Sequence, residues 1–142
     1  MDGYTVRIAS WQDDGLEVRM VRETVFVHEQ HVPVELEWDE FDTSCLHLLA
    51  LDAAENPIGT ARLLSDGLIG RMAVLKKWRG RGVGSALLLR LLEEARKRQI
   101  QHVALNAQLH ATGFYLKFSF RMVGKEFMDA GIPHVRMNLR LS

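Results

Sequence analysis

The segment from Lys76 to Leu88, KKWRGRGVGSALL, follows an apolar run and leads directly into a helical pattern. Four cationic side chains and three glycines fall within its first nine residues. A helix N-terminus favours negative charge, and glycine costs about 1 kcal/mol relative to alanine inside a helix. Such a start becomes favourable when the exposed N–H groups and the arginines bind an anion, because glycine lets the backbone approach it closely. The segment therefore predicts a strand, an anion-binding turn and a helix that begins near Gly82.

The sequence before this segment predicts one strand, one helix and a long connection. An alternating stretch indicates a strand at Tyr4–Ala9. Apolar residues at helical spacing behind a cap at Asp13 or Asp14 indicate a helix that ends near Val27. The acidic segment 31–42 has no clean period, and we expect a loop with one helical turn there.

The rest of the chain completes the predicted order of elements. Three apolar runs, CLHLLALDA, PIGTARLLS and LIGRMAVLK, are separated by turn sequences and indicate an antiparallel meander. The last of these strands, the helix and the next strand, HVALNAQ, predict a parallel βαβ unit. A short helix in HATGFYLKFSF and a closing hairpin follow. The order β, α, β, β, β, α, β, α, β, β indicates an α/β (α+β) fold, in which a mixed sheet carries helices on both faces.

Length and composition limit the class of protein. Residues 1–142 fit a single domain, and 47% of them are apolar. The 18 basic and 18 acidic side chains cancel, which disfavours binding to nucleic acid or to a membrane through net charge. The single cysteine, Cys45, excludes an intrachain disulfide and is typical of an intracellular protein. We find no leader-like start and no run of 18 apolar residues, so we expect a cytoplasmic protein.

Two common phosphate-binding motifs fit the turn poorly. A P-loop requires lysine and then Ser or Thr after its last glycine, whereas Ser85 and Ala86 follow Gly84. The dinucleotide fingerprint requires a glycine at the position of Ser85 and an acidic residue in the next strand, where Asn106 stands. The turn is therefore not predicted to bind a nucleotide in either of these ways.

The spacing Arg79-x-x-Gly82-x-Gly84 resembles the pyrophosphate-binding motif of the GCN5-related N-acetyltransferases (GNAT), which use acetyl-CoA. The surrounding RMAVLKKWRGRGVGSALLLRLLEEA and the later LNAQLHATGFYLKFSF are similar to the family's segments at these places. The segments EFMDAGIPHVRM and VRETVFVHEQ resemble a small bacterial ElaA-like branch. The resemblance implies a twisted, mostly antiparallel sheet with a central parallel βαβ unit.

The resemblance also implies an acetyl-CoA site without a metal. Backbone groups of Met72, Ala73 and Val74 would contact the pantetheine arm as an added strand does, while their side chains serve an ordinary core strand. Asn106 would hydrogen-bond the same arm or a water, or would only satisfy its own loop. The pyrophosphate would be held by the turn residues Arg79, Gly80, Arg81, Gly82, Val83, Gly84 and Ser85.

Tyr115 stands where the family often places a general acid. A phenol can protonate the thiolate that leaves when an amine attacks a thioester. A backbone N–H near Met72 or Ala73 can stabilise the oxyanion that develops. The alternative for Tyr115 is a half-buried aromatic packed beside Phe114 and Phe118.

The sequence defines the general base less well. An alkylammonium group has a pKa of about 10, so a proton must leave before the amine attacks. Glu29 is our preferred candidate, although every candidate also has a plain surface or packing interpretation. The other candidates are His28, His31, Glu37 and His134.

The segment VELEWDEFD carries five carboxylates in nine residues. Under the resemblance it would attract a cationic amine, and a solvated acidic loop is the alternative. Its aromatic residues Trp38 and Phe41 would form a wall of the site or anchor the loop. On the next strand we expect His47 to be a core histidine. We do not expect Cys45 to carry an acetyl group, because it lacks a visible activating partner.

We therefore predict an N-acyltransferase that moves acetyl from acetyl-CoA to a primary amine of a small molecule or peptide in a ternary complex. A non-catalytic acetyl-CoA sensor or interaction module is the alternative, and it would bind the same cofactor. A nucleic-acid-binding domain that uses KKWRGRG is a third hypothesis, which the zero net charge disfavours. A homodimer is expected only from analogy with the fold.

Overall fold

The computed structural model describes residues 3–141. The strands are β1 (Tyr4–Ala9), β2 (Leu46–Asp52), β3 (Pro57–Leu63), β4 (Leu68–Val74), β5 (His102–Gln108), β6 (Arg121–Asp129) and β7 (Ile132–Arg140). The helices are α1 (Trp11–Arg22), which continues as a π-helical segment (Glu23–Glu29), α2 (Val34–Glu37), α3 (Val83–Lys97) and α4 (Thr112–Leu116). Short 3₁₀ turns lie at Glu40–Thr43, Lys76–Trp78 and Leu109–Ala111. Within the described range, no helix is long and apolar enough to cross a bilayer.

All seven strands form one sheet in the order β1-β2-β3-β4-β5-β7-β6. Strands β4 and β5 are parallel, and α3 connects them. The other neighbouring pairs are antiparallel. The predicted mixed sheet, with its meander, its central βαβ unit and its closing hairpin, is confirmed.

Side chains of β2 alternate between the two faces of the sheet. Leu48 and Ala50 pack in the main core beneath α3, whereas Leu49 and Leu51 pack with Val18 of α1. All five side chains are buried. Each fully buried leucine contributes about 1.5–3 kcal/mol relative to an exposed one. Helices therefore cover both faces as predicted, and we call these two sides of the sheet the α1 face and the α3 face.

The first helix differs from the sequence prediction at both ends. Ser10 is the N-cap, and its hydroxyl accepts a hydrogen bond from the Asp13 amide at 3.3 Å, so Asp13 and Asp14 lie in the first turn. The helical segment ends at Glu29, close to the predicted end near Val27, but its last part, Glu23–Glu29, is π-helical, which the sequence did not predict. Hydrogen bonds from residue i to residue i−5 sustain it beyond the point where a 3.6-residue period is visible. Such π-helical turns are often found at functional sites.

Strand β4 contains a bulge opposite β3 and separates from β5 toward its carboxyl end. Thr60 pairs with Ala73 and Arg62 pairs with Gly70, so two residues of β4 oppose one residue of β3. One of these two residues, Arg71, has φ 49°, in the left-handed region. Within the described strands, the β4–β5 pairing comprises Leu68 with Ala104 and Ile69 with Leu105. The two strands diverge beyond these pairs and leave a gap toward their carboxyl ends.

Candidate active site

A cavity of about 900 Å³ occupies the gap between β4 and β5. Its volume is within the range of about 300–1,000 Å³ that is usual for small-molecule sites. The diverging strands, the π-helical segment, α4 and the turn between β6 and β7 all contribute to its walls. Representative lining residues from these elements are Ala73, Asn106, Phe26, Tyr115 and Asp129. The cavity therefore extends from the glycine-rich turn, where the cofactor is predicted to bind, to the loops on the α1 face.

The glycine-rich turn lies between β4 and α3, as the sequence predicts, and a 3₁₀ turn at Lys76–Trp78 separates it from the end of β4. Gly80 and Gly82 have φ 76° and 86°, a conformation that L-residues with side chains rarely adopt. Gly82 is the N-cap of α3, and the first turn of this helix contains no acidic residue. The first N–H groups of a helix have no partner within it and form the positive end of its dipole. This geometry suits an anion and supports the predicted pyrophosphate cradle.

The two arginines of the turn are engaged with protein groups. Both terminal nitrogens of Arg79 donate to the carboxylate of Glu29, at 2.6 and 2.7 Å, and its Nε donates to the Val74 carbonyl at 3.0 Å. The Arg81 guanidinium lies 4.8 Å from the centre of the Trp78 ring. The hydrogen bond from Arg79 lowers the pKa of Glu29, which makes Glu29 a weaker base than its position alone suggests.

Tyr115 lies on α4 at the wall of the cavity. Its hydroxyl is 3.6 Å from the sulfur of Met72 on β4, and its ring packs edge-on against Phe114 and Phe120. Burial raises the pKa of Tyr115 to about 12. The phenol is therefore neutral near pH 7 and can donate its proton, and the same ring also has the packing role that was the alternative.

The five candidate bases lie in different surroundings. Glu29, Glu37 and His134 line the cavity, whereas His28 and His31 are exposed side chains outside its lining in the described chain. Burial raises the pKa of Glu37. His134 is 8% exposed, and its Nδ1 lies 2.7 Å from the carbonyl oxygen of Ile132. His134 thus becomes a stronger candidate than the sequence indicated.

The acidic segment is folded around buried arginines and is not a solvated loop. Arg22 is 0% exposed and binds the carboxylates of Glu37 and Asp42, both at 2.7 Å. Arg62 binds Asp39 at 2.7 Å and Asp42 at 2.8 Å. These ion pairs engage three of the five carboxylates that we had considered for attracting a cationic amine, namely Glu37, Asp39 and Asp42. Sequence analysis missed the network because its arginines lie 15 to 23 residues from their partners in the chain.

The remaining residues of this region have structural roles. The Arg22 guanidinium lies 4.8 Å from the centre of the Trp38 ring, so Trp38 anchors the segment, whereas Phe41 is exposed. His47 is buried, and its Nε2 lies 2.8 Å from the Asp42 carbonyl oxygen, in agreement with the predicted core histidine. Burial raises the pKa of the Cys45 thiol to about 11, which disfavours a nucleophilic thiolate.

The structure also places the predicted cofactor-arm residues and two glutamines that we had missed. Ala73 is buried on the α1 face of β4, where its side chain packs with Val21 and Val25, and the residue also lines the cavity. Asn106 is exposed at the cavity wall on β5. Gln108 at the end of β5 donates to Gln30 at 2.8 Å, which joins the π-helical segment to the sheet. In the sequence, Gln108 was visible only as the polar end of a predicted strand, and Gln30 only as a polar residue after the predicted end of the first helix.

Comparison with known proteins agrees with this geometry. The sequence model of the acetyltransferase (GNAT) domain matches residues 9–141. YjcF of Bacillus subtilis, described as an uncharacterized N-acetyltransferase, is 42% identical over 121 residues, which cover 82% of this chain and 86% of YjcF. Protein ElaA of Escherichia coli is 32% identical over 125 residues, which cover 82% of this chain and 81% of ElaA.

Solved structures show the same fold. An acyl-CoA N-acyltransferase from Pseudomonas aeruginosa superposes with a TM-score of 0.85 at 28% identity, over 95% of this chain and 98% of that structure. The crystal structure of E. coli ElaA superposes with a TM-score of 0.85 at 27% identity, over 94% of this chain and 98% of that structure. The fold is thus that of an N-acyltransferase. The chain belongs to the GCN5-related N-acetyltransferase family, and its predicted resemblance to ElaA is confirmed.

Proposed function

We propose that the protein transfers an acetyl group from acetyl-CoA to the primary amine of a small molecule or peptide, with both substrates bound at once. The observation that carries this proposal is the divergence of β4 and β5, with the start of α3 after one strand and Tyr115 at the wall of the gap. An acyl-CoA requires such a slot, with an anion site for its pyrophosphate and access for a second substrate.

The residues around the gap fit this cosubstrate. The turn offers the N–H groups at the start of α3, and no carboxylate in the first turn of that helix opposes a bound anion. Glu29, the nearby carboxylate, is neutralised by Arg79. The backbone of Met72–Val74, with Asn106, would hold the pantetheine arm where β4 is no longer paired with β5.

Two groups of the chain would assist the transfer. The thioester supplies an activated acyl group. A β-bulge leaves the extra residue outside the ladder, so an N–H of Arg71 or Met72 can stabilise negative charge on the acyl oxygen. The Tyr115 hydroxyl, which keeps its proton because burial raises its pKa to about 12, can protonate the departing sulfur.

Product analysis tests this proposal. The purified protein is incubated with acetyl-CoA and a panel of primary amines: putrescine, lysine, glycylglycine and phenethylamine. The proposal expects release of free CoA together with at least one amine that gains the mass of one acetyl group. A protein that binds acetyl-CoA but forms no acetylated product from any amine of a broad panel would contradict catalysis and favour a sensor.

A further inference from the structure

His134 and Gln108 lie side by side on the α1 face of the sheet. Val103 and Leu105 of β5 pack in the main core beneath α3, and so does Val135 of β7. Side chains alternate along a strand, so Gln108 and His134 point to the opposite side. The two residues are register partners in the β5–β7 pair. His134 therefore borders the cavity from the side of the sheet that carries α1 and the acidic segment.

The hydrogen bond of His134 fixes which ring nitrogen holds the proton. Nδ1 lies 2.7 Å from the Ile132 carbonyl oxygen. A carbonyl oxygen can only accept, so Nδ1 must carry the hydrogen, and in the neutral ring the lone pair is then on Nε2. Within residues 3–141, Nε2 takes part in no hydrogen bond. The ring is further held by stacking on Phe127, with 5.9 Å between ring centres.

Of the five candidate bases named from the sequence, the other two that line the cavity, Glu29 and Glu37, are already committed to cations. The Glu29 carboxylate accepts two hydrogen bonds from Arg79. Oε1 of Glu37 accepts from Arg22 at 2.7 Å and lies 3.3 Å from Nε of Arg71. A proton taken by either carboxylate would weaken an ion pair that holds the site together. His134 can take a proton without losing its bond to Ile132.

We propose that His134 is the general base of the transfer, accepting a proton from the amine on the α1 face. Tyr115 packs against the main core beneath α3. The base would therefore deprotonate the amine, and the acid would protonate the leaving sulfur, from opposite sides of the β4–β5 gap. This inference rests on the proposed acetyl transfer and adds the residue that activates the acceptor.

The protons and electrons balance. Nε2 of His134 takes one proton from the ammonium group of the acceptor and later releases it to water. The freed lone pair of the amine forms the C–N bond, and the C–S bond breaks with its electron pair on sulfur. Tyr115 gives its proton to this sulfur, and the phenolate regains one as the second proton leaves nitrogen. The products are an amide, free CoA and one proton in solution.

Replacing His134 by Asn tests the role, because the Asn amide can still donate to the Ile132 carbonyl while Nε2 is lost. With an amine that the wild type acetylates, we expect kcat to fall by about 100-fold or more, with the KM for acetyl-CoA changed less than about twofold. Added imidazole should restore part of the rate, with the product identified by mass so that acetylimidazole is not counted. His102→Asn, the same change at an exposed position on β5, should leave kcat unchanged.

A second readout needs no substrate. Nitrogen-15 spectra of the ring nitrogens, with the His134 signals assigned from their loss in His134→Asn, should show a protonated Nδ1 and an unprotonated Nε2 in the neutral ring. A neutral ring that carries its proton on Nε2 overturns the proposal whatever the activity. An active wild type whose His134→Asn variant keeps its kcat, or loses it without rescue by imidazole, also overturns it. Neither result contradicts the proposed acetyl transfer. That proposal is contradicted only if the wild type forms no acetylated amine.

Discussion

Arg79 joins the end of β4 to the π-helical segment through its two hydrogen bonds to Glu29, at 2.6 and 2.7 Å. Its Nε completes the link by donating to the Val74 carbonyl at 3.0 Å. The turn proposed to bind the pyrophosphate therefore begins with an arginine whose charge is largely neutralised. The N–H groups of the turn and of α3, with the charge of Arg81, remain to attract a pyrophosphate.

Removing the charge of Glu29 should strengthen cofactor binding. In Glu29→Gln, the guanidinium of Arg79 is no longer neutralised, so we expect the Kd for acetyl-CoA to fall roughly two- to threefold at low ionic strength and this gain to disappear at high salt. The pair is partly exposed, so stability should change by less than about 1 kcal/mol. Glu23→Gln is the control. It also removes a charge from the π-helical segment, but at a residue whose ion-pair partner is His28. A 100-fold loss of kcat in Glu29→Gln would instead restore Glu29 as the base.

Tyr115→Phe should separate binding from chemistry. The change removes the proton donor and keeps the ring, so we expect the Kd for acetyl-CoA to stay within about twofold and kcat to fall by about 100-fold. Titration by calorimetry and steady-state kinetics measure the two quantities. An unchanged kcat would leave Tyr115 with its packing role only.

The raised pKa of Tyr115 can be measured directly. The difference in absorbance near 295 nm between wild type and Tyr115→Phe should show a phenol that ionises at about pH 12. The unfolded chain ionises first, at about pH 10, so the contribution of this group to stability falls as pH rises through that interval. Ionisation of Tyr115 at about pH 10 would show that the site is more hydrated than the structure indicates.

The buried ion pairs of Arg22 should contribute more to the free energy of unfolding than an exposed ion pair does. Arg22→Met leaves Glu37 and Asp42 without their shared cation, and breaking such a pair costs about 3–5 kcal/mol. Arg7→Met, which breaks the exposed pair with Asp14, is the control and should cost about 0–1 kcal/mol. Urea unfolding gives both values. Equal losses in the two variants would show that Arg22 is replaceable by packing.

The same network predicts a sign for the pH dependence of stability. The hydrogen bonds from Arg62 lower the pKa of Asp39. Burial opposes ionisation of Asp42, but its bonds to Arg22 lower its pKa overall. Both carboxylates thus contribute stability above their ordinary pKa of about 4, and this stability is lost as pH falls through their lowered values. Glu37 opposes them, because its raised pKa makes its own contribution fall as pH rises above about 4.3.

Local sequence signals predicted the elements that build the cofactor side. The alternation of Tyr4–Ala9, the glycine-rich turn and the leucine stripe of α3 each depend on residues close together in the chain, and the structure agrees at all three places. Tyr115 and Asn106 were reached through the family resemblance, and both line the cavity.

Long-range contacts account for what the sequence did not predict. Arg79 meets Glu29 across 50 residues of chain, and Arg71 reaches Glu37 across 34. The left-handed φ of Arg71 arises from the β3–β4 register, which no local pattern reveals for an arginine. The role of the acidic segment was therefore open from its composition alone and became clear only from its partners.

Calorimetric titration with acetyl-CoA tests the central claim most directly. The wild type is compared with Gly82→Glu, which puts a carboxylate and a side chain into the cradle, and with Gly124→Glu, the same change at another glycine of positive φ on the exposed strand β6. We predict that wild type and Gly124→Glu bind acetyl-CoA, and that folded Gly82→Glu loses at least about 1.4 kcal/mol of binding free energy, a tenfold change in Kd. A wild type that binds no acetyl-CoA, or a Gly82→Glu variant that binds it as well as the wild type, would contradict the account.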